Sequence, residues 1–436
     1  MKIAVVGGGS TYTPELIDGF ARLADQVKIT EIVLVDPDQS RLSVVGPFSA
    51  RIMRRYGHPA TVRWTADLDD GLDGAGAVLI QLRIGGQAAR HRDETWPGKC
   101  GCLGQETTGA GGFAKALRTV PVVLDIAERA RARASSDAWL IDFTNPVGIV
   151  TRALLDAGHR AIGLCNVAIG FQRIFAGMLG VEPRRISLEH VGLNHLTWER
   201  AVLLDGTDVL PDLIATRGDE LAELIELPRS VIELTRSIPS YYLRYFYAHD
   251  QVVAEQQTGP TRAEQVAQIE QELLAMYADP ALDRKPELLG QRGGAFYSEA
   301  AVALLASLVN DTGDTQVVNV RNNGTMPFLA DYAVIEVASV IGKHGATPVG
   351  FAPLGPLMRG LTAHVSAYEE LAVQTARLGG RDRVFETMLA HPLIGQYDKA
   401  EQLTDLLLAE NAAFLPWAND AGAVGDPAPG TTASGP

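Results

Sequence analysis

The chain has 436 residues, of which 46% are hydrophobic and 21% are charged, and its formal net charge is −14 at pH 7. This composition is typical of a globular protein that forms two domains or one large α/β unit with insertions. The acidic balance argues against nucleic acid as a partner, because a phosphate backbone needs a basic face. A membrane span is not expected either, since no apolar stretch approaches roughly 20 residues.

The N-terminus and the cysteines predict a cytoplasmic protein. The opening segment, MKIAVVGGGS, runs directly into a strand-like stretch and lacks the apolar region and cleavage site of a signal peptide. The cysteines are Cys100, Cys102 and Cys165, so at least one thiol has no partner within the chain. A disulfide framework is therefore not expected, and a reducing compartment fits this cysteine content.

Strands and helices alternate over the first part of the chain. Hydrophobic periodicity predicts strands at 2–6, 31–35, 77–82, 138–143 and 161–164, and helices at 13–23, 40–54, 114–133 and 146–156. This alternation predicts an α/β fold with a Rossmann-like, doubly wound parallel sheet. Ligands of such sheets bind at the carboxyl ends of the strands, so we expect the residues that follow the strands to share one crevice. These residues are Arg83, Asn145, Cys165 and Asn166.

The first predicted strand ends in a glycine-rich turn that leads into a helix, as in a dinucleotide-binding site. A G-x-G-x-x-G pattern would place glycine where the chain has Tyr12, so the turn alone is a weak signal, and such turns also serve packing. The second strand ends at Asp36, where an acidic side chain binds ribose hydroxyls and disfavours a 2′-phosphate. We therefore expect NAD rather than NADP. The candidate cofactor-binding residues are Gly7, Gly8, Gly9, Ser10, Thr11 and Asp36.

The second part of the chain is predicted to form a largely helical α+β domain. Strands are predicted at 187–190, 201–204 and 316–320, and helices at 212–226, 228–236, 261–277, 296–308, 332–341, 356–378 and 381–390. We assign residues 1–170 to the NAD-binding domain and residues 171–415 to a domain for substrate, metal and oligomerisation. The last segment, 416–436, is rich in Gly, Pro, Ala and Thr and is predicted to be a disordered tail.

Cys165 and His195 are candidate ligands of a transition metal. Each lies at the end of an apolar run, and a thiolate with an imidazole favours such a metal over calcium or magnesium. The alternatives are a small buried cysteine at a strand end and a core histidine. Cys100 and Cys102 form a C-x-C pair that could hold a second metal or act as a redox pair, but we favour loop packing.

Six segments of the sequence carry a family resemblance. They are VVGGGSTYTPELIDG, LGQETTGAGGFAKALRTVPV, DFTNPVGIVTRAL, LCNVAIG, GLNHLTW and RGGAFYSEAA. Together and in this order they resemble the NAD- and divalent-metal-dependent glycosidases of family 4, particularly the 6-phospho-β-glucosidases. The resemblance extends from residue 1 to roughly residue 410, so that it leaves only the predicted tail outside.

The resemblance implies hydrolysis of a phosphorylated disaccharide or an aryl glucoside through redox steps. NAD takes a hydride from sugar C3, a base removes the C2 proton, the group at C1 is eliminated, and water adds at C1. Reversed steps return the hydride, so NAD is regenerated in every turnover. The resemblance also implies manganese or another divalent transition metal, and a homodimer or homotetramer.

The resemblance implies a role for individual residues. Cys165 and His195 would bind the metal. Tyr242 of YYLRY would be the base, with Glu106 near it. Asn166 stands where α-type relatives have an aspartate that acts as general acid, and an amide cannot donate a proton in that way, which matches the β-type pattern. Substrate contacts would come from Arg90, Asn145, Asn166 and Arg262.

Other interpretations remain open at the level of the sequence. The aromatic cluster around Tyr242 could be core material, Glu106 could be a structural carboxylate, and Arg262 could be a solvated charge. Ala168 replaces the proline that is usual in the family, a departure that concerns loop geometry more than chemistry. The substrate could be an α-linked or unphosphorylated sugar. An ordinary NAD-dependent dehydrogenase or a non-enzymatic NAD sensor would share the early fold.

Overall fold

The computed structural model describes residues 1–293 and 296–419. Its strands are β1 Lys2–Val6, β2 Glu31–Val35, β3 Thr61–Thr65, β4 Ala77–Ile80, β5 Trp139–Asp142, β6 Ala161–Gly163, β7 Ile186–Leu193, β8 Leu196–Leu204, β9 Thr207–Asp208, β10 Ile238–Pro239, β11 Asp314–Arg321, β12 Val334–Gly342 and β13 Gly345–Pro348. Its α-helices are α1 Thr13–Arg22, α2 Gln39–Arg55, α3 Leu68–Leu72, α4 Gly86–Thr95, α5 Gly109–Arg133, α6 Val147–Asp156, α7 Val167–Leu179, α8 Leu210–Ile225, α9 Arg229–Thr235, α10 Arg244–Tyr247, α11 His249–Gln256, α12 Arg262–Ala278, α13 Tyr297–Asn310, α14 Pro356–Leu378, α15 Arg381–Ala390 and α16 Tyr397–Asn411.

A nine-stranded mixed sheet forms the centre of the described chain, in the order β13-β12-β11-β6-β5-β4-β1-β2-β3. The six strands from β1 to β6 run parallel. The inner strands are buried on both faces, which explains their continuous Val, Ile and Leu runs. β11 pairs antiparallel with β6, so strands from the second half of the chain extend the sheet. The predicted fold class, an α/β protein with a Rossmann-like sheet, is confirmed.

A smaller antiparallel sheet contains β7 to β10, in the order β10-β8-β7 with β9 paired to β8. The strands predicted at 187–190 and 201–204 are parts of one long hairpin, β7 and β8, whose turn is Asn194 and His195. Helices α7, α8 and α9 supply a separate apolar core for this sheet. The division into domains at residue 170 stays a prediction, because the large sheet takes strands from both sides of that boundary.

The helix predicted at 332–341 is wrong. This segment forms β12, which pairs with β11 along the whole length of β11. Its sequence, VIEVASVIG, is rich in Val and Ile, whose branched side chains fit a pleated, buried surface better than a helix. The apolar positions also match helical spacing, so periodicity alone could not separate the two structures.

Several elements were not predicted, among them β3, α4, α7 and α16. Two of these matter for function, because α4 and α7 each begin shortly after the end of a parallel strand. The predicted tail begins too early, since Pro416–Asn419 forms a 3-10 turn, and 420–436 lie outside the described residues. Within the described ranges, no helix is both long and apolar enough to cross a membrane.

Candidate active site

A cleft of ≈ 820 Å³ lies along the carboxyl ends of β1, β2 and β4. Gly7, Ser10 and Asp36 from the predicted cofactor set line this cleft, together with Arg83 and Arg292. The other members of the set have different surroundings. Gly8 packs against β2, Gly9 packs against Asp36 and Arg41, and the buried Thr11 accepts a hydrogen bond of 2.7 Å from Nε of Arg292.

The three glycines are required by close packing. Gly7 has a φ of +88°, and the amides of Gly7 and Gly8 both donate to the carbonyl of Val35 at 2.9 Å. A Cβ on Gly8 would lie 2.7 Å from Cβ of Leu34. Asp36 accepts a hydrogen bond of 3.0 Å from the amide of Gly9, which fixes its carboxylate at the edge of the cleft. The turn, the cleft and this carboxylate fit a dinucleotide with free ribose hydroxyls.

His195 is held at the tip of the β7–β8 hairpin in a strained conformation. Its φ is +62°, and a non-glycine residue in this region costs about 1–3 kcal/mol, which is typical of functional positions. Its ring centroid lies 4.0 Å from that of Tyr242. Burial lowers the pKa of His195 to about 4, so the imidazole is neutral and keeps a lone pair for a metal.

Cys165 follows β6 and is buried on the same side as the hairpin tip. Burial raises the pKa of its thiol, and the carboxylate of Glu336 raises it further. Hydrogen bonds with Asn194 and Tyr297 act in the opposite direction. Residues 1–293 and 296–419 contain no group of three or more His, Cys, Asp or Glu side chains that could hold a metal. Two protein donors with open positions fit a metal that also binds substrate.

All the predicted catalytic and substrate-binding residues except Asn166 line a second pocket, of ≈ 480 Å³. Its lining includes Arg90, Glu106, Asn145, Tyr242 and Arg262. Burial raises the pKa of the Tyr242 phenol, and the negative charge of Glu106 adds to this effect. The Oδ1 atom of Asn145 is buried and has no hydrogen-bond partner among the described residues, so it can accept a bond from a ligand.

Glu106 is the centre of a buried ion cluster. Its carboxylate pairs with Arg83, with Nη2 of Arg90 at 3.2 Å and with Nζ of Lys115 at 2.6 Å. Burial alone would raise the pKa of Glu106, but the three cations outweigh this and hold it well below the usual value. Sequence reasoning missed Lys115, although a lysine within the apolar run GGFAKALRTV was a usable signal.

Arg83 connects the two pockets, because it lines the dinucleotide cleft and pairs with Glu106 in the second pocket. Arg262 is the first residue of α12, and its Nη2 donates to the carbonyl of Gln291 at 2.7 Å. Asn166 is the residue before α7 and follows Cys165 directly. The carboxyl ends of β4, β5 and β6 therefore lead into the candidate site, as the parallel sheet predicts.

Neither cysteine of the C-x-C pair lines these two pockets. Cys100 contacts Oε1 of Gln402 at 3.8 Å, and Cys102 belongs to the apolar core. Both thiols are free. This environment supports the interpretation that the pair serves loop packing.

The chain matches two family models. Residues 2–181 match the family 4 glycosyl hydrolase model, and residues 190–394 match the model of the family 4 glycosyl hydrolase C-terminal domain. A probable 6-phospho-beta-glucosidase of Bacillus subtilis is 37% identical over 95% of this chain and 97% of its own length. The 6-phospho-beta-glucosidase of Escherichia coli K12 is 32% identical over 95% and 96%, respectively.

A solved structure has the same fold over nearly the whole chain. The 6-phospho-beta glucosidase from Thermotoga maritima, solved with manganese, NAD+ and glucose-6-phosphate, superposes with a TM-score of 0.89 at 32% identity. The match covers 95% of this chain and 99% of that structure. Because both family models and these relatives span most of its length, the chain belongs to glycosyl hydrolase family 4.

Proposed function

We propose that this protein hydrolyses 6-phospho-β-glucosides with NAD and a divalent transition metal, such as manganese, as cofactors. The observation that carries the proposal is the meeting of Tyr242, Glu106, Arg90 and Asn145 in one pocket. Arg83 joins that pocket to the dinucleotide cleft, so a sugar and a nicotinamide could lie side by side. Family membership and relatives named 6-phospho-beta-glucosidase support the substrate class.

The side chains available as ligands support the proposal of a metal cofactor. When bound, NAD would accept a hydride from the sugar and return it, and the metal would stabilise negative charge that develops on the sugar oxygens. Cys165 and His195 are the two protein donors for the metal. The left-handed backbone of His195 is stable only because the surrounding hairpin and strands hold it, which is expected of a residue placed for binding.

Tyr242 is the base that would remove the C2 proton. Its ring lies against His195, within 4.0 Å between centroids, so the phenol is next to the metal donors. Without the metal, burial keeps this phenol protonated, and a nearby divalent cation provides the charge that favours the phenolate. Glu106 is ionised and held by three cations, so it orders the pocket rather than donating a proton.

The charges of the pocket support a phosphorylated sugar. In the lining, the guanidinium groups of Arg90, Arg244 and Arg262 balance the carboxylates of Glu94, Glu106 and Glu255. Arg83 and Lys115, which pair with Glu106, add two further positive charges beside the pocket. Guanidinium groups bind phosphate through paired, charge-assisted hydrogen bonds, so this pocket favours the 6-phosphate.

Asn166 supports a β-linked substrate. It follows Cys165, at the position where α-type relatives have an acid, and its amide cannot protonate a leaving group. A route that eliminates the C1 group after C2 deprotonation needs less help from an acid when the leaving group is an aryl oxide of low basicity.

We expect the enzyme to act in the cytoplasm as a homodimer or homotetramer, which light scattering on a sizing column would determine.

The test is release of 4-nitrophenol from its 6-phospho-β-glucoside, with NAD, manganese and a thiol reductant. We expect turnover to require both cofactors, with no net NADH. The matched substrates are the 6-phospho-α-glucoside and the unphosphorylated β-glucoside, and each should be cleaved far more slowly. NADH that accumulates in step with product would instead indicate an ordinary dehydrogenase, and NAD binding without product would indicate a sensor.

A further inference from the structure

Glu336 is the third residue of β12 and is 1% exposed. Its Oε2 atom accepts hydrogen bonds from Nδ2 of Asn194 at 2.8 Å and from Nδ2 of Asn319 at 3.0 Å. Its Oε1 atom is 3.0 Å from Nε2 of His190. The carboxylate therefore has three polar partners, which come from two different sheets.

These partners connect Glu336 to both candidate metal donors. Asn194 precedes His195 in the hairpin turn, and its Oδ1 also accepts a hydrogen bond of 3.4 Å from the amide of Gly148. Asn319 pairs across the sheet with Gly163, the last residue of β6, two positions before Cys165. Glu336 thus fixes the backbone segment that presents the imidazole and the segment that presents the thiol.

The cluster also holds an excess of negative charge. Nδ1 of His190 is 2.6 Å from Oε1 of Glu199, so one histidine lies between two carboxylates. Burial alone would lower the pKa of His190, but the two carboxylates outweigh it and raise the pKa to about 10. Two carboxylates and one imidazolium leave one negative charge buried, which is costly unless a cation lies nearby.

We propose that Glu336 is a positioning residue for the metal site, which it serves by fixing the segments of His195 and Cys165 and by supplying a buried negative charge toward a divalent cation. This inference rests on the metal site of the proposed function. Residues that orient metal ligands from behind typically change metal affinity by about 10–100-fold when they are replaced. Glu199 is the natural comparison, since it shares His190 and the burial but contacts neither Asn194 nor Asn319.

The test compares the manganese affinity of Glu336→Gln and Glu199→Gln by titration with detection of free Mn²⁺ by electron paramagnetic resonance, in the presence of NAD and a reductant. We expect Glu336→Gln to bind Mn²⁺ about 10–100-fold more weakly, and excess Mn²⁺ to restore its turnover. Glu199→Gln removes one charge of the cluster but leaves the hydrogen bonds of Asn194 and Asn319 in place, so it should lose clearly less Mn²⁺ affinity than Glu336→Gln, and NAD affinity should be unchanged in both. An equal loss of Mn²⁺ affinity in the two variants, or no loss of affinity in either, overturns the proposal.

Two further variants keep the inference separate from the proposed function and from misfolding. If Glu336→Gln does not fold, Glu336→Asp keeps the charge but withdraws the carboxylate, and an unchanged Mn²⁺ affinity of that variant overturns the proposal. Cys165→Ser should lose Mn²⁺ binding. If the wild-type protein binds no Mn²⁺, the metal site and the inference are both refuted. If Cys165→Ser loses Mn²⁺ binding but Glu336→Gln does not, the inference alone is refuted.

Discussion

Asp142 at the end of β5 provides a quantitative test of how burial controls ionisation next to the site. Its side chain is fully buried, and Oδ1 accepts a hydrogen bond of 2.9 Å from the amide of Thr144. Oδ2 has no hydrogen-bond partner in the described part of the chain. Burial therefore raises the pKa of Asp142 to about 8, from an ordinary value of 3.8. At pH 7 the folded protein holds a proton here that the unfolded chain has lost.

The direction of the pH effect follows from this difference. Because folding raises the pKa of Asp142, holding this side chain buried lowers the free energy of unfolding. This cost is absent below the unfolded pKa and grows as the pH rises toward the folded pKa. At about 1.4 kcal/mol per pKa unit, the cost is about 2 kcal/mol at pH 5 and about 4 kcal/mol at pH 7. Asp142→Asn removes a group that must bind a proton on folding. We expect its free energy of unfolding, relative to wild type, to increase by about 2–3 kcal/mol between these pH values.

Urea unfolding followed by circular dichroism at both pH values would measure this change. The additional N–H of the introduced amide has no acceptor in the buried site, but that cost does not depend on pH and cancels in the comparison. Asp137→Asn, at an exposed position just before the same strand, is the control and should show no pH-dependent gain. A stability difference for Asp142→Asn that is constant with pH would mean that the buried carboxyl is ionised, and the argument from burial would be wrong.

Three further predictions concern the candidate site. Tyr242→Phe should lower turnover by about 10²–10⁴-fold and slow exchange of the C2 proton with solvent equally, while NAD and Mn²⁺ binding persist; unchanged turnover would remove Tyr242 as the base. Gly8→Ala should weaken NAD binding in a fluorescence titration, because the new Cβ would lie 2.7 Å from Leu34, whereas Gly177→Ala, with open space around it, should not. Arg90→Lys keeps the charge but loses the paired geometry, so KM for the phosphorylated substrate should rise about tenfold, while cleavage of the unphosphorylated glucoside should change little.

The parallel part of the fold was predictable because each inner strand is buried on both faces and reads as a continuous apolar run. β3 was missed for the opposite reason, since TVRWT lies at the sheet edge and is only partly buried, so its side chains carry no such run. β12 was assigned to the wrong class because burial on both faces over most of its length removes the alternation that distinguishes a strand from a helix. Local patterns are informative where one face is exposed, and the first half of β12 has no exposed face.

The site was predictable to the extent that it follows strand ends. Arg83, Asn145 and Cys165 each follow a parallel strand, so the sheet alone places them at one edge. The left-handed backbone of His195 could not be predicted in this way, because it depends on a two-residue turn that the predicted strands, 187–190 and 201–204, were too short to define. The partners of Glu336 were also hidden, since they come from β7, β11 and the hairpin turn.

The ionisation state of Glu106 shows why the sequence could suggest a residue without deciding its role. Of its partners, Arg83 follows β4, Arg90 lies in α4 and Lys115 lies in α5. Three separate elements must therefore fold before the carboxylate is surrounded. Once they do, the pKa of Glu106 is so low that it cannot supply a proton near neutral pH. The proposed acid–base role at this pocket is therefore assigned to Tyr242, whose phenol shares the lining and whose pKa is raised where that of Glu106 is lowered. The ion cluster therefore distinguishes Glu106 from Tyr242, which the sequence motifs alone left as two candidate catalytic residues.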